Sequence, residues 1–204
     1  MAKPDHNILP EKQSWKGKRV GLLGGSFNPA HAGHLEISLC ALSRLGLDAV
    51  WWLVSPQNPL KSKQDMAPFD LRMAGAKKMA TDPRIFVSDL EKKLVTSYTV
   101  DSLNKITELA PDTCFIWLMG ADNLTQFSKW KDWKEIGKIV AFAIFDRPSY
   151  SSAVETSEAA VFFRDDQIPE DRAHELSTET LPAWTFIREV QNEISSSDIR
   201  HKKL

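Results

Sequence analysis

Two histidines, His31 and His34, follow a glycine turn at the point where an amphipathic helix should begin. An apolar run at 20–23 ends at two glycines, and the chain passes through 26–29 before it reaches the histidines. A strand, a glycine turn and a helix N-terminus together aim backbone N–H groups at one point, which suits a phosphate. Residues three apart lie on one face of a helix, so both imidazoles face that point. The segment predicts a nucleotide site that carries two reactive side chains.

The turn at 24–29 matches neither of the two common phosphate-binding loops. It is not the GxGxxG of dinucleotide-binding oxidoreductases, and it lacks the Gly-Lys-Ser/Thr of a Walker loop. Its glycines still let the chain turn sharply and let a phosphate approach the backbone. The alternative is a plain strand–helix turn. Two histidines on a polar first turn argue against that alternative, because packing hardly explains them.

A second polar cluster, ISSSDIR, lies at 194–200. Hydroxyl and amide N–H groups at a helix start can hold phosphate oxygens, and Arg200 can neutralise charge on a triphosphate. The alternative is a serine-capped surface helix whose arginine is solvated.

Alternating strands and helices must position these clusters. The strand-like runs lie at 19–24, 49–54, 113–119 and 139–145, and they contain Trp51, Trp52 and Trp117, which we expect in the core. Helical patterns lie at 32–46, 68–80 and 99–109, the last with Thr99 as a candidate N-cap. Apolar strands between amphipathic helices predict an α/β fold: a doubly wound, Rossmann-like parallel sheet with helices on both faces, whose ligands bind near the switch point.

The chain is predicted to be one domain over 19–204, preceded by a flexible lead-in over 1–18. The stretch 148–182 is rich in Ser, Glu, Asp and Pro and reads as a long surface excursion. A length of 204 residues is enough to bury a substantial core.

The composition is ordinary for a soluble globular protein, with 42% hydrophobic and 26% charged residues. A formal net charge of -1 gives no overall attraction to nucleic acid or to anionic membranes. No apolar stretch approaches the ~20 residues of a membrane span, and no signal peptide is visible. We therefore expect a cytoplasmic protein. Cys40 and Cys114 form no metal-ligand pattern and are expected to be reduced, buried thiols.

The segment GSFNPAHAGH resembles the G-[ST]-F-[DN]-P-x-H-x-G-H signature of the nucleotidyltransferase superfamily, in the form found in bacterial nicotinate-mononucleotide adenylyltransferases. Its shorter HxGH core is shared with phosphopantetheine adenylyltransferases and cytidylyltransferases. The segment ISSSDIR is similar to the family's I-S-S-[ST]-x-[IL]-R. By this resemblance, the domain over 19–204 is a single nucleotidyltransferase domain.

Three segments between these motifs also resemble the family. They are S-Y-T at 97–99, G-A-D at 120–122 and the Lys-Trp pair at 129–130. By resemblance, Trp130 stacks on the pyridine ring, which suits an electron-poor ring; ordinary packing is the alternative. The loop at 55–61 is a looser match, in which Lys61 either meets a substrate phosphate or is an exposed lysine.

The resemblance divides the site residues between two substrates. It assigns to ATP the residues Gly25, Ser26, Phe27, His31, His34, Gly120, Asp122, Ser195, Ser196, Ile199 and Arg200. It assigns to the mononucleotide the residues Asn28, Lys61, Tyr98, Thr99, Trp130 and Lys131.

The implied reaction transfers the adenylyl group of ATP to nicotinate mononucleotide, giving nicotinate adenine dinucleotide and pyrophosphate in NAD biosynthesis. The attacking phosphate is already an anion, so His31, His34 and Arg200 would act on charge and alignment rather than as bases. Mg²⁺ would arrive with ATP, with no dedicated protein site. The alternatives are an adenylyltransferase acting on nicotinamide mononucleotide or another phosphate, and a noncatalytic nucleotide-binding protein. Homo-oligomer formation is left open.

Overall fold

Six strands form one parallel sheet in the order β3-β2-β1-β4-β5-β6. The computed structural model describes residues 8–10, 14–57, 66–146, 154–188, 190 and 196–201. The strands are β1 (Arg19–Gly25), β2 (Ala49–Val54), β3 (Ile85–Ser88), β4 (Cys114–Gly120), β5 (Ala141–Phe145) and β6 (Trp184–Ile187). This is the strand order of Rossmann-type folds, so the predicted fold class is confirmed.

Helices cover both faces of the sheet. They are α1 (Ala32–Arg44), α2 (Phe69–Met79), α3 (Leu90–Leu94), α4 (Thr99–Leu109), α5 (Ala121–Phe127), α6 (Trp133–Ile139), α7 (Glu158–Phe162) and α8 (Ser196–His201), with 3-10 turns at Arg164–Asp166 and Glu170–Thr178. The helix α4 begins at Thr99 with Tyr98 as its N-cap, so the prediction that Thr99 is the cap is wrong by one residue.

Successive residues of each strand enter two separate cores. Trp51 and Trp117 point to one face and pack under α4, α5 and α6, whereas Trp52 and Leu118 point to the other face and pack under α1 and α2. The three tryptophans predicted in the core, Trp51, Trp52 and Trp117, are all buried there. Side chains that are apolar on both faces of a strand explain why β2 and β4 read as continuous apolar runs.

The segment after β5 is more packed than its composition indicates. The described part, from residue 154 onward, forms α7 and the two 3-10 turns, and it buries Val154, Phe163 and Leu176 against the two cores. The prediction of a surface excursion over 148–182 is therefore wrong for these residues, because few but well-placed apolar side chains anchor a polar segment.

Trp15 ties the expected lead-in to the sheet. Its side chain is only 5% exposed and makes edge contacts with Trp51 and Phe86, at ring-centroid distances of 5.0 and 5.3 Å. Its indole N–H donates to the carbonyl of Pro10 at 2.8 Å. The packed part of the chain therefore begins no later than Trp15.

The two cysteines, Cys40 and Cys114, are free thiols, as predicted, but they lie half-buried, so the expectation that they are buried is wrong. Partial burial raises the pKa of the Cys114 thiol. Within the described residues, no helix has the length and apolar character needed to cross a membrane.

Candidate active site

The site lies where the strand order reverses, between β1 and β4. Leu23 pairs with Leu118 in the parallel register, so Gly25 and Gly120, the last residues of the two strands, lie level at the carboxyl edge. From here the chain winds outward to β2 on one side and to β5 on the other. Ligands of doubly wound folds bind in the crevice that forms at such a point.

A glycine is required at position 24 because the Trp117 ring lies against the backbone. A Cβ atom there would stand 2.4 Å from the indole, well inside van der Waals contact. The turn that follows has Phe27 in the left-handed region, at φ 46°. The Phe27 ring is buried and stacks on Trp52, with centroids 5.1 Å apart. Packing of the Phe27 side chain therefore holds the turn at 24–29 in a conformation that a free chain would rarely adopt. Because phosphate binding is predicted for it, this turn is called the phosphate-binding turn below.

The two histidines are coupled to each other at the start of α1. His31 is the N-cap and is 6% exposed, and its backbone N–H donates to Nδ1 of His34 at 3.2 Å. The two ring centroids are 3.9 Å apart. Because Nδ1 of the neutral His34 ring accepts, its proton is on Nε2, which makes Nε2 a hydrogen-bond donor. Both predicted imidazoles thus lie together at the helix N-terminus.

Ser38 fixes this first turn of α1 to the sheet. Its hydroxyl donates to the carbonyl of His34 at 2.8 Å and accepts from the indole N–H of Trp52 at 2.7 Å. The residue is completely buried, so both hydrogen bonds are shielded from water. The position of His34 is therefore determined by strand β2 as well as by its own helix.

Two residues of the second motif, Ser196 and Arg200, dock onto the backbone of the first motif, GSFNPAHAGH. The Ser196 hydroxyl donates to the carbonyl of Pro29 at 2.9 Å, and Nη1 of Arg200 donates to the carbonyl of Asn28 at 2.5 Å. Two parts of the chain about 170 residues apart in sequence thereby meet beside the histidines. Ile199 lies half-buried on the same helix, α8, whereas Ser195 lies outside the described residues.

The buried guanidinium of Arg72, on α2, is hydrogen-bonded to the backbone of the turn at 24–29. It is 3% exposed and donates to the carbonyls of Ser26, Ser55 and Pro56 at 2.7–2.9 Å, and to that of Ala67 at 3.0 Å. Burial lowers the pKa of Arg72, but a guanidinium stays charged in proteins. The arginine therefore binds the phosphate-binding turn to the loop after β2 and places a positive charge close to it.

Asn28 also links the turn at 24–29 to the chain that precedes α2. Its side-chain Oδ1 accepts from the backbone N–H of Ala67 at 3.2 Å, while its carbonyl accepts from Arg200. The buried Asn28 side chain thus has a structural role here, and its predicted contact with substrate stays a prediction. Lys61, which follows β2 in the sequence, lies outside the described residues.

A second group of predicted residues comes together between α4 and α6. The ammonium of Lys131 lies 5.1 Å from the centroid of the exposed Tyr98 ring and pairs with Asp101 at 3.0 Å. The hydrogen bond to Asp101 raises the pKa of Lys131, which is therefore a cation at neutral pH. Tyr98 directly precedes Thr99, the first residue of α4, so three of the predicted substrate residues adjoin one another.

Trp130 joins this group to the phosphate-binding turn. It is half-buried, and its ring meets Phe127 and Trp117 edge-on at 5.2 and 6.3 Å. Trp117 in turn covers Gly24. The indole is therefore held by aromatic contacts on one side while part of it remains accessible, and stacking on a ligand ring stays a prediction.

The G-A-D segment opens helix α5 at the end of β4. Gly120 is the N-cap, and Asp122 lies in the first turn, where its carbonyl accepts from the Thr125 hydroxyl at 2.8 Å. Gly120 and Asp122 thus lie across the switch point from Gly25.

Sequence reasoning missed the buried carboxyl of Glu91 on α3. Burial raises its pKa to about 7, although hydrogen bonds from Ser102 and Ser55 oppose that rise. No sequence signal singles out Glu91, because it resembles an ordinary surface glutamate in a charged helix. Arg72 did carry a weak signal, since it shares a helix face with the buried Ala76, four residues on.

Comparison with known proteins identifies the family. A family model described as Cytidylyltransferase-like matches residues 22–202. The chain belongs to this family. A protein of Parvibaculum lavamentivorans named "Probable nicotinate-nucleotide adenylyltransferase" is 50% identical over 186 residues, which is 91% of this chain and 92% of that protein. A protein of Methylorubrum extorquens with the same name is 46% identical over 182 residues, covering 89% of this chain and 98% of that protein.

A solved structure of a named adenylyltransferase shares the fold. The Plasmodium falciparum nicotinic acid mononucleotide adenylyltransferase complexed with NaAD superposes with a TM-score of 0.68, covering 90% of this chain and 83% of that one, at 19% identity. The resemblance inferred from the motifs is thereby confirmed at the level of the family and the fold.

Proposed function

We propose that this chain transfers the adenylyl group of ATP to nicotinate mononucleotide, forming nicotinate adenine dinucleotide and pyrophosphate. One observation carries the proposal: Arg200 and Ser196 dock on the Asn28–Pro29 backbone, which leads directly to the His31–His34 pair. A cation, two imidazoles and a helix N-terminus thus converge at the switch point, as a triphosphate requires. The names of the relatives from Parvibaculum and Methylorubrum support the choice of reaction.

The arrangement suits in-line transfer without a general base. The phosphate oxygen of the mononucleotide forms a bond to the α-phosphorus, while the bond from that phosphorus to the bridging oxygen breaks and its electron pair leaves with pyrophosphate. Nε2–H of His34 can donate to the phosphate oxygens on which charge shifts, and Arg200 can neutralise the leaving group. Because the nucleophile is already anionic, His31 and His34 act by positioning and charge stabilisation.

The second group of residues is proposed to hold the pyridine mononucleotide. A partly exposed indole suits a flat, electron-poor ring, and the Lys131 cation next to Tyr98 suits an anion. A pyridine ring that carries a carboxylate satisfies both features. The proposed site therefore favours nicotinate over nicotinamide mononucleotide.

Mg²⁺ is proposed to enter with ATP, held by phosphate oxygens and water. The described residues contain no cluster of three His, Cys, Asp or Glu side chains that could form a metal cage. A magnesium ion bound mainly by its substrate needs few protein ligands, and the ion would neutralise phosphate charge when bound.

The test is product formation by the purified chain from MgATP and nicotinate mononucleotide, with nicotinamide mononucleotide as the matched substrate. We expect equal amounts of dinucleotide and pyrophosphate, and a higher kcat/KM for the nicotinate form. His31→Ala and His34→Ala should each lower kcat about a hundredfold or more, by analogy with loss of an oxyanion-hole donor. The control is His174→Ala, since that imidazole is exposed. A kcat/KM close to that of the unmodified chain in either site variant would refute the assignment.

A further inference from the structure

Glu91 is a buried acid that the proposed reaction does not use. Its side chain, on the short helix α3, is 7% exposed. The Ser102 hydroxyl lies 3.0 Å from its Oε1, and Ser55 supplies a second hydrogen bond. Burial of a carboxyl lowers the stability of the folded state unless hydrogen bonds satisfy its oxygens.

The hydrogen bonds continue from Glu91 to the segment before α4. Oγ of Ser102 lies 2.8 Å from Oγ1 of Thr96, and the backbone N–H of Thr96 donates to the carbonyl of Glu91 at 3.0 Å. Ser102 is completely buried and Thr96 is 5% exposed. Two residues after Thr96 come Tyr98 and Thr99, which belong to the proposed mononucleotide site. Glu91 thus binds both the start of the segment that carries them and the first turn of the helix that follows.

On its other side, Glu91 reaches the phosphate-binding turn through Ser55. The backbone N–H of Ser55 donates to the carbonyl of Gly25 at 2.9 Å, and its carbonyl accepts from Arg72 at 2.8 Å. Arg72 also donates to the carbonyl of Ser26 at 2.7 Å. A continuous set of hydrogen bonds therefore runs from the phosphate-binding turn to Thr96, and Glu91 is the link in its middle.

We propose that Glu91 is a positioning residue that holds the segment 96–99 at a fixed distance from the phosphate-binding turn, and so determines how tightly the pyridine mononucleotide binds. This inference rests on the proposed function, because that function assigns Tyr98 and Thr99 to the mononucleotide. The turn at 24–29, which is proposed to bind ATP, keeps its hydrogen bonds when Glu91 is lost, since Arg72 and the Ser55 N–H bind this turn directly.

Loss of the Glu91 side chain should change the KM values for the two substrates by different amounts. Alanine at position 91 removes the link between Ser55 and Ser102. The segment 96–99 then keeps the backbone hydrogen bond from Thr96 to residue 91 and its own helix, but loses its connection to the loop after β2. We expect the KM for nicotinate mononucleotide to rise about tenfold, as for loss of one or two buried hydrogen bonds. The KM for ATP should change by less than about twofold, because its turn is held by other bonds.

The experiment measures both KM values and kcat for Glu91→Ala and Glu91→Gln. Glutamine keeps a hydrogen-bonding group at the same place, so it should restore the KM for the mononucleotide to near that of the unmodified chain. Glu108→Ala, which removes an exposed acid from α4, is the matched control. Where Glu91→Ala fails to fold, Ser102→Ala breaks the same link with a smaller loss of volume and should give the same split.

Three results would overturn the inference: unchanged KM values in Glu91→Ala, an equal rise in both KM values, or a glutamine variant as impaired as the alanine one. Failure of the proposed function looks different, since the unmodified chain would then form no dinucleotide from nicotinate mononucleotide.

Discussion

The buried Glu91 carboxyl should make the stability of this protein depend on pH in an unusual direction. Burial raises its pKa from the ordinary 4.5 to about 7 in the folded chain, so between these two values the folded state holds a proton that the unfolded state has released. Stability must then fall as pH rises, because the unfolded state binds fewer protons. The contribution is fully present below pH 4.5 and is lost as pH passes through 7.

The substitution Glu91→Gln gives the magnitude, since an amide resembles the protonated acid and does not titrate. The difference between the unfolded and folded pKa values of Glu91 corresponds to a free-energy difference of roughly 3 kcal/mol, at about 1.36 kcal/mol per pKa unit. We expect the variant and the unmodified chain to have similar stability near pH 4. Near pH 8 the variant should be more stable by roughly 3 kcal/mol.

Urea unfolding monitored by tryptophan fluorescence, repeated from about pH 4 to about pH 8, measures this difference. Other titrating groups are common to both chains and cancel in the comparison. The matched control is Glu108→Gln on the exposed face of α4. A free-energy difference that stays constant across the pH range would refute the reasoning, because it would mean that the folded chain ionises Glu91 as readily as the unfolded chain does.

Two further substitutions test the contacts of Trp117 and Trp130, which link Gly24 to the proposed mononucleotide site. Gly24→Ala should destabilise the fold by about 1–3 kcal/mol, because its Cβ would stand 2.4 Å from the Trp117 ring; thermal unfolding measures this, and Gly75→Ala, with open space around it, should have no such cost. An equal effect at both glycines would contradict the packing argument. Trp130→Ala should raise the KM for the pyridine mononucleotide about tenfold, the size of a lost stacking interaction, and a similar rise in the KM for ATP would count against stacking.

The sequence predicts the elements with strong patterns and misses the short ones. β2 and β4 are six- and seven-residue apolar runs, and their patterns locate them almost to the residue. β3 and β6 have four residues each, which is too short for a periodic signal. Their strand character comes from pairing with β2 and β5, and pairing is a property of the assembled sheet.

Residues of the candidate site also differ in how well the sequence predicts them. His31, His34 and Arg200 can be predicted, because each belongs to a compact motif of unusual polar residues. The meeting of Arg200 with Asn28 is made through a backbone carbonyl, which no residue type reveals. Glu91 escapes prediction and Arg72 carries only a weak signal for the same reason, since their partners are carbonyls and hydroxyls from distant segments. Charged side chains on helices are usually solvated, and only the folded chain shows that these two are not.

The docking of Arg200 on the Asn28 carbonyl also sets an order of events during synthesis. The ribosome makes the histidine turn first and reaches the arginine 172 residues after Asn28. At about 5–20 residues per second, that interval lasts roughly 10–30 seconds. During this time a nascent chain can form the sheet from β1 to β5, with Arg72 beside the turn, but it still lacks Arg200, the cation proposed to meet the triphosphate. The contact proposed between Arg200 and the triphosphate can therefore form only after the strands from β1 to β5 have been made.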